Sequence, residues 1–248
     1  MSTPLVSCIC LTYGRPWYVE EAIESFLRQD YPNKEMVIIN DLSCQKLSLI
    51  DDMQKVKVIN VSKRFPTLGD KRNFAVEQSN GELIAPFDDD DISLPWRLSQ
   101  AVDALQAQKK QWFRASPIFE MRGDTIMGLI GHGNASAIWR RELFDLVGGY
   151  PPMNTGEDTE FGRLVLSHVG LEAILSIALP TEKVSYIYRR KHADSYNLSQ
   201  WGRDGKGRNM GYERVRVMID ASAESGPILL KPQWRRDYVA ETRKFIGA

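Results

Sequence analysis

Leu83-Ile84-Ala85-Pro86-Phe87-Asp88-Asp89-Asp90-Asp91 runs from an apolar stretch directly into four carboxylates, with Pro95 close behind. A short apolar run bounded by turn signals reads as a buried strand. The carboxylates then occupy the loop at its carboxyl end. The same arrangement recurs upstream. The run 5–12 (LVSCICLT) reads as a buried strand ending at Thr12-Tyr13-Gly14-Arg15, and Met36-Val37-Ile38-Ile39 ends at Asn40-Asp41. Amphipathic segments separate these runs: Pro16 to Arg28, Gly69 to Ser79 and Pro95 to Gln111. In the first, Val19, Ile23, Phe26 and Leu27 mark the apolar face and Pro16 suits the first helical turn. Val56 to Val61 reads as a further strand, and a short helix is expected within 45–53. The order βαβαβαβα predicts an α/β fold with a mostly parallel sheet flanked by helices, Rossmann-like in its winding. Ligands of such sheets bind outside the carboxyl ends of the strands, where all three polar clusters fall.

Composition narrows the function classes. The 248 residues are 43% hydrophobic and 26% charged, enough apolar material for a core. Lys+Arg 32 against Asp+Glu 32 gives a net charge of +0, which weighs against a basic nucleic-acid surface, and no nucleic-acid partner is expected. Cys8, Cys10 and Cys44 are too few for a disulfide framework, and Cys8 and Cys10 read as core residues on one side of a strand. No apolar run approaches bilayer-spanning length, so a soluble, cytoplasmic protein is expected. Trp234-Arg235-Arg236 allows transient membrane proximity, but Asp237 and Glu241 interrupt its charge. The oligomeric state is not encoded in these patterns.

Downstream of residue 111 the pattern is less regular. Trp112 to Phe119 reads as a strand, Arg140 to Val147 as a short helix closed by Gly148-Gly149, Glu157 to His168 as a helix, and Val184 to Tyr188 as a strand. Without a clean linker, 1–248 reads as one domain. Four adjacent carboxylates after a buried strand either cap the following helix or hold a divalent cation, whose oxygen ligands are carboxylates and substrate phosphates. Glu157-Asp158 is either a pair of acids favoured by a helix dipole or a source of a general base. There is no Gly-x-Gly-x-x-Gly, P-loop, His-Glu-x-x-His or Gly-x-Ser-x-Gly pattern, which argues against dinucleotide, P-loop, zincin and standard hydrolase chemistry.

The ordered set of motifs resembles the GT-A glycosyltransferases, specifically the inverting glycosyltransferase family 2. It comprises 6–16 (VSCICLTYGRP), 25–32 (SFLRQDYP), 35–43 (EMVIINDLS), Lys71-Arg72-Asn73 and 80–91 (NGELIAPFDDDD). Ala135-Ser136-Ala137, Arg140-Arg141, Val147-Gly148-Gly149-Tyr150 and Gly156-Glu157-Asp158 follow. Gly14 stands where the family usually has Asn, and Asn40-Asp41-Leu42-Ser43 replaces the usual Asp-Asp-Gly-Ser.

The resemblance implies a GT-A fold in which residues 1–111, approximately, form a nucleotide-sugar-binding half and 112–248 an acceptor-binding half with a C-terminal extension. It implies a nucleotide-diphosphate sugar donor, UDP-sugar first, and a hydroxyl-bearing glycan, lipid-linked or small-molecule acceptor. Thr12, Tyr13, Arg15, Asp41, Arg72, Asp88 and Asp89 correspond to donor contacts. Asp88 and Asp90 fill the outer positions of the Asp-x-Asp motif and, with His192, would hold Mn²⁺ or Mg²⁺. Asp158 corresponds to the catalytic base, Glu157 to an acceptor contact, and Arg189 to Lys191 to electrostatic helpers. Trp201 lies in 199–211, a glycine-rich stretch suited to a lid. Two other readings share the crevice: a nucleotidyltransferase releasing pyrophosphate, and a noncatalytic nucleotide-sugar-binding protein.

Overall fold

The computed structural model describes residues 3–131, 134–190, 220 and 222–247. In chain order the first half contains β1 (Val6–Thr12), α1 (Pro16–Leu27), β2 (Lys34–Asn40), β3 (Gln45–Leu49), β4 (Val56–Asn60), α2 (Leu68–Glu77), β5 (Leu83–Pro86), β6 (Ile92–Ser93) and α3 (Arg97–Gln108). The second half contains β7 (Trp112–Ser116), β8 (Ile118–Arg122), β9 (Thr125–Ile130), β10 (Ile138–Arg140), α4 (Arg141–Val147), α5 (Glu157–Val169), β11 (Ile174–Ala178), β12 (Tyr186–Arg190), β13 (Gly226–Leu230) and α6 (Tyr238–Ile246).

A seven-stranded sheet in the order β11-β7-β10-β5-β1-β2-β4 forms the centre. Its strands pair in parallel except β10, which runs antiparallel between β5 and β7. β1 is buried along its whole length, as a central strand covered on both faces must be. Its side chains alternate between two cores. Val6, Cys8 and Cys10 pack with Val19, Ile23 and Phe26 of α1 and Leu98, Val102 and Leu105 of α3. Ile9 and Leu11 face the opposite side, toward Ala75 and Val76 of α2, Leu143 of α4 and Phe161 and Val165 of α5. The expected GT-A-like α/β architecture is therefore present, with helices on both sides of a mostly parallel sheet.

Local expectations fail in two places. Residues 45–49 form β3 rather than a helix, pairing in parallel with β13 from the far end of the chain. Gln45 and Leu47 are buried while Lys46 and Ser48 are exposed, which is the period of a strand. The strand expected over Trp112 to Phe119 divides at Pro117, so that β7 joins the central sheet and β8 joins a second one.

That second sheet, ordered β6-β12-β8-β9, supports the acidic loop. β6 follows Asp91 directly and pairs antiparallel with β12, Ile92 opposite Ile187 and Ser93 opposite Tyr186. Ile92, Phe119, Met121, Ile187 and Tyr238 form a third core beneath it. Trp234 turns inward, its indole N–H donating to Ser25 Oγ at 2.9 Å, and Arg236 pairs with Asp124 and Glu241. The tryptophan and one arginine of the proposed membrane-proximal patch are thus engaged within the protein. No helix among the described residues is long and apolar enough to cross a membrane.

Candidate active site

The four carboxylates after β5 are not equivalent. Asp91 is buried, with Oδ2 accepting from the Tyr186 hydroxyl at 2.7 Å and Oδ1 from the Arg189 backbone N–H at 2.8 Å. Burial, with Asp90 and Asp88 nearby, pushes it well above the usual carboxylate range, against the pull of those hydrogen bonds. Asp89 is also buried and bonds one guanidinium nitrogen of Arg15, while the other donates to Asp90 Oδ2 at 3.0 Å. Burial lifts Asp89 to about 6 although Arg15 opposes the rise. Asp88 is half-buried, lies 3.4 Å from Arg72 Nη2, and is raised by burial and by the neighbouring charges of Asp90 and Asp158. Asp89 and Asp91 therefore brace the loop, while Asp88 and Asp90, paired with Arg72 and Arg15, keep more of their side chains exposed, 27% and 13%.

The helix α2 supplies the basic groups. It opens with a capping box in which the Thr67 hydroxyl accepts from Asp70 N–H while Asp70 accepts from Thr67 N–H. The helix buries Gly69, Lys71, Arg72, Ala75 and Val76, so a partly charged face lies against the sheet ends. Lys71 Nζ donates to Asp41 Oδ1 at 2.5 Å and to the Thr12 carbonyl at 2.6 Å, joining the first two polar clusters. Asp41 Oδ2 also accepts from Phe65 N–H at 3.1 Å. Two partners leave lone pairs for a ligand N–H, because an ionised carboxylate has about four acceptor sites. Arg72 Nε donates to Glu157 Oε1 at 2.9 Å, so the guanidinium bridges Asp88 and Glu157.

Asp158 stands next to Glu157 in the first turn of α5, where the helix dipole favours acids. Its Oδ1 accepts from Thr159 N–H at 2.7 Å. It shares a small cavity with Arg72, Trp112, Asn134, Tyr150 and Phe161. Contacts between α2 and the turn before α5 hold this position: Gly69 N–H donates to Met153 O at 3.0 Å, and Leu68 N–H to Asn154 Oδ1 at 3.1 Å. Asn73 adds a reciprocal pair with the Tyr150 backbone, at 2.9 and 2.7 Å.

At the crevice rim, Arg64 lies 4.5 Å over the Tyr13 ring, whose hydroxyl donates to Asp220 Oδ1 at 2.5 Å. Gly14 adopts φ +71°, a left-handed conformation that costs glycine little and that asparagine tolerates better than most residues. Thr12, Tyr13, Arg15, Asp41, Arg72, Asp88, Asp89, Asp90, Glu157 and Asp158 thus line one connected region. His192 and Trp201, with the expected lid 199–211 and Lys191, lie outside the described residues. Arg189 differs from its expected role. It points inward, its Nη1 bonding Glu21 Oε2 at 2.6 Å and its Nε donating to the Asp90 carbonyl, and so braces the acidic loop from behind. Lys71, Glu21 and Tyr186 were missed by sequence reasoning. For Lys71 the signal was a lysine facing inward on a helix that must cover a sheet; Glu21 and Tyr186 become visible only through long-range partners.

Among the described residues, no group of three or more His, Cys, Asp or Glu is arranged to hold a metal ion. Asp88 and Asp90 nevertheless fit a hard divalent cation. Both are oxygen donors, and their mutual repulsion is one that a cation would relieve. Mg²⁺-type sites commonly use one or two carboxylates plus substrate phosphates.

Residues 7–146, from Ser7 in β1 to Leu146 in α4, match glycosyl transferase family 2. The chain belongs to this family. An uncharacterized glycosyltransferase of Rickettsia typhi is 30% identical over 103 residues, covering 42% of this chain and 32% of the relative. The chain spans about a third of the length of the first curated relatives it matches, 32% and 33%. Among solved structures, Staphylococcus aureus TarS 1–349 in complex with UDP-GlcNAc has a TM-score of 0.60 at 19% identity, covering 77% of this chain and 61% of that one. The Pyrobaculum calidifontis mannosyltransferase PcManGT, in complex with GDP-Man and Mn²⁺, has a TM-score of 0.55 at 18% identity, covering 76% and 57%. At these identities the likeness shows the fold alone.

Proposed function

We propose that the chain is a metal-dependent, inverting glycosyltransferase that moves a sugar from a nucleotide-diphosphate donor, UDP-sugar first, to a hydroxyl of a carbohydrate or other acceptor. The observation that carries the reading is the Arg72 bridge, which ties Asp88 of the acidic loop to Glu157 beside Asp158. It links a candidate base to an acidic loop suited to a cation that would carry the diphosphate, as displacement at a carbon between them requires. TarS and PcManGT, solved with UDP-GlcNAc and with GDP-Man and Mn²⁺, support the donor class and the metal by analogy.

In this reading residues up to about 111 hold the donor and the remainder presents the acceptor. Asp41 accepts a base N–H, and Thr12, Tyr13, Arg15, Arg72 and Asp89 shape the nucleotide and diphosphate subsites. The acceptor oxygen attacks the anomeric carbon, the bond to the diphosphate oxygen breaks, and Asp158 takes the acceptor proton. Glu157, fixed by Arg72, orients the start of α5. Mn²⁺ or Mg²⁺ held by Asp88 and Asp90 would neutralise charge developing on the leaving diphosphate. A single displacement without a protein-bound sugar inverts the anomeric centre.

The test is incubation with a nucleotide-sugar panel, Mn²⁺ or Mg²⁺ and candidate acceptors, followed by product analysis. Release of nucleoside diphosphate with an inverted glycoside is expected. Release of pyrophosphate would replace this reading with nucleotidyl transfer, and donor binding without turnover would make the protein a noncatalytic binder.

A further inference from the structure

We propose that Arg15 is an internal counter-ion that occupies Asp90 in the free protein and surrenders it when donor diphosphate and cation arrive, coupling the two binding events. This rests on the proposed metal-dependent glycosyl transfer and assigns one residue the task of linking metal to donor.

The geometry is specific. One Arg15 nitrogen bonds Asp89 Oδ1 and the other donates to Asp90 Oδ2 at 3.0 Å. The two acids differ in surroundings: Asp89 has 2% side-chain exposure and Asp90 13%. Asp89 is therefore the anchor, because stripping the guanidinium from it would leave a buried carboxylate without its charge partner. Asp90 is the exchangeable contact, the closer of the two to solvent. Arg15 itself has 12% side-chain exposure and sits in the polar loop that leaves β1 at its carboxyl end.

An arginine on Asp90 and a divalent cation on the same carboxylate compete for the same negative charge. A cation arriving alone must displace a charge-assisted hydrogen bond without offering the guanidinium another acceptor. A diphosphate offers one. Arginine forms strong hydrogen bonds with phosphate oxygens, and the Nη1 freed from Asp90 can donate to one while Nη2 stays on Asp89. The cation then gains both Asp90 and the phosphate oxygens. Metal and donor thus tighten each other reciprocally, as linkage requires.

The sign of the effect separates this role from an ordinary phosphate contact. Removing a basic residue from an anion site weakens nucleotide binding in either case. When Asp89 is neutralised together with Arg15, so that the net charge of the site is unchanged, only a counter-ion role makes the loss of Arg15 strengthen the binding of Mn²⁺ alone. The experiment is titration of the full chain with Mn²⁺, followed by electron paramagnetic resonance of free Mn²⁺, with and without UDP or GDP. The proteins are wild type, Arg15→Gln, and the double variant Arg15→Gln/Asp89→Asn. The double variant removes the buried charge that Arg15→Gln would strand, and so guards against loss of fold.

The double variant, like Arg15→Gln where that folds, is expected to bind Mn²⁺ without UDP at least about fivefold tighter than wild type, the low end of coupled-site effects. UDP should tighten Mn²⁺ less in the variants than in wild type. A folded double variant that binds Mn²⁺ alone no tighter than wild type overturns the counter-ion role while leaving the metal reading intact. Wild type that binds no Mn²⁺ with UDP or with GDP overturns the metal reading and this inference with it.

Discussion

Replacing Glu21 with Gln tests whether the acidic loop is braced by a buried ion pair. Glu21 accepts from Arg189 Nη1 at 2.6 Å through Oε2, and through Oε1 from the Tyr238 hydroxyl at 2.7 Å and Arg235 N–H at 3.2 Å. The paired side chains have 6% and 2% exposure, so solvent screening takes little from the interaction. Gln keeps the shape but has one acceptor oxygen. Its amide N–H₂ must face either the Arg189 guanidinium or the Arg235 N–H, donor against donor, and the Arg189 charge loses its partner. Breaking a buried pair from one side costs about 3–5 kcal/mol. Because Gln retains one good acceptor, the low end applies, about 3 kcal/mol. For a chain of this size each kcal/mol lowers the melting temperature by about 2–4 °C. Urea denaturation and thermal melting should therefore show Glu21→Gln about 6–12 °C less stable. Tyr238→Phe removes the hydroxyl's hydrogen bond to Glu21 at 2.7 Å and the longer one it accepts from Arg189 at 3.4 Å, and should cost about 1.5–3 kcal/mol. A Glu21→Gln protein within about 1 kcal/mol of wild type would refute the reasoning, since the Glu21 charge would then not be balancing Arg189.

Asp158→Asn should lower kcat by about 10²–10⁴ while donor affinity changes little, the range for loss of a general base; undiminished transfer sinks that assignment. Gly69→Ala places a Cβ 1.9 Å from the Pro151 carbonyl oxygen, a backbone atom that must move. The variant should lose about 1–3 kcal/mol in urea denaturation, and an unchanged midpoint would mean that the turn before α5 yields freely. A thiol reagent at pH 8 should modify Cys44 in the native protein and reach Cys8 and Cys10 only on unfolding, because those two are buried and Cys44 is exposed. Burial pushes the Cys8 thiol up to about 12 from 9.0. The neutral thiol is the form the fold favours, so its stabilising share is complete below pH 9 and is lost as pH rises through 12. Fast native modification of all three thiols would contradict the packing.

The strands that carry the site were legible because their apolar runs are local and end abruptly in polar clusters. β1 and β5 are of this kind. β3 was not, since what makes 45–49 a strand is a partner at 226–230, and its alternation spans too few residues to outweigh a helix. Pro117 marked a break, but nothing nearby says that the chain changes sheets there. At the site, the acidic run announced itself as a cluster without revealing its division of labour. Which carboxylates brace the loop and which stay more exposed is decided by Tyr186, Arg189 and Arg15 arriving from elsewhere. Arg189 read as an electrostatic helper at the diphosphate, and the acid that draws it inward, Glu21, lies on α1.

The antiparallel strand β10 lies between β5 and β7 in the central sheet. During synthesis β1, β2, β4 and β5 leave the ribosome well before residues 138–140 exist, so one flank of β5 waits without its neighbour. An unpaired strand edge is a template for misassembly. Completion of the nascent sheet therefore depends on a short segment made late. A ribosome stalling after β5 has emerged but before residue 138 is made would hold the growing chain with that flank open, the acidic loop already made and the strand that closes the sheet still missing.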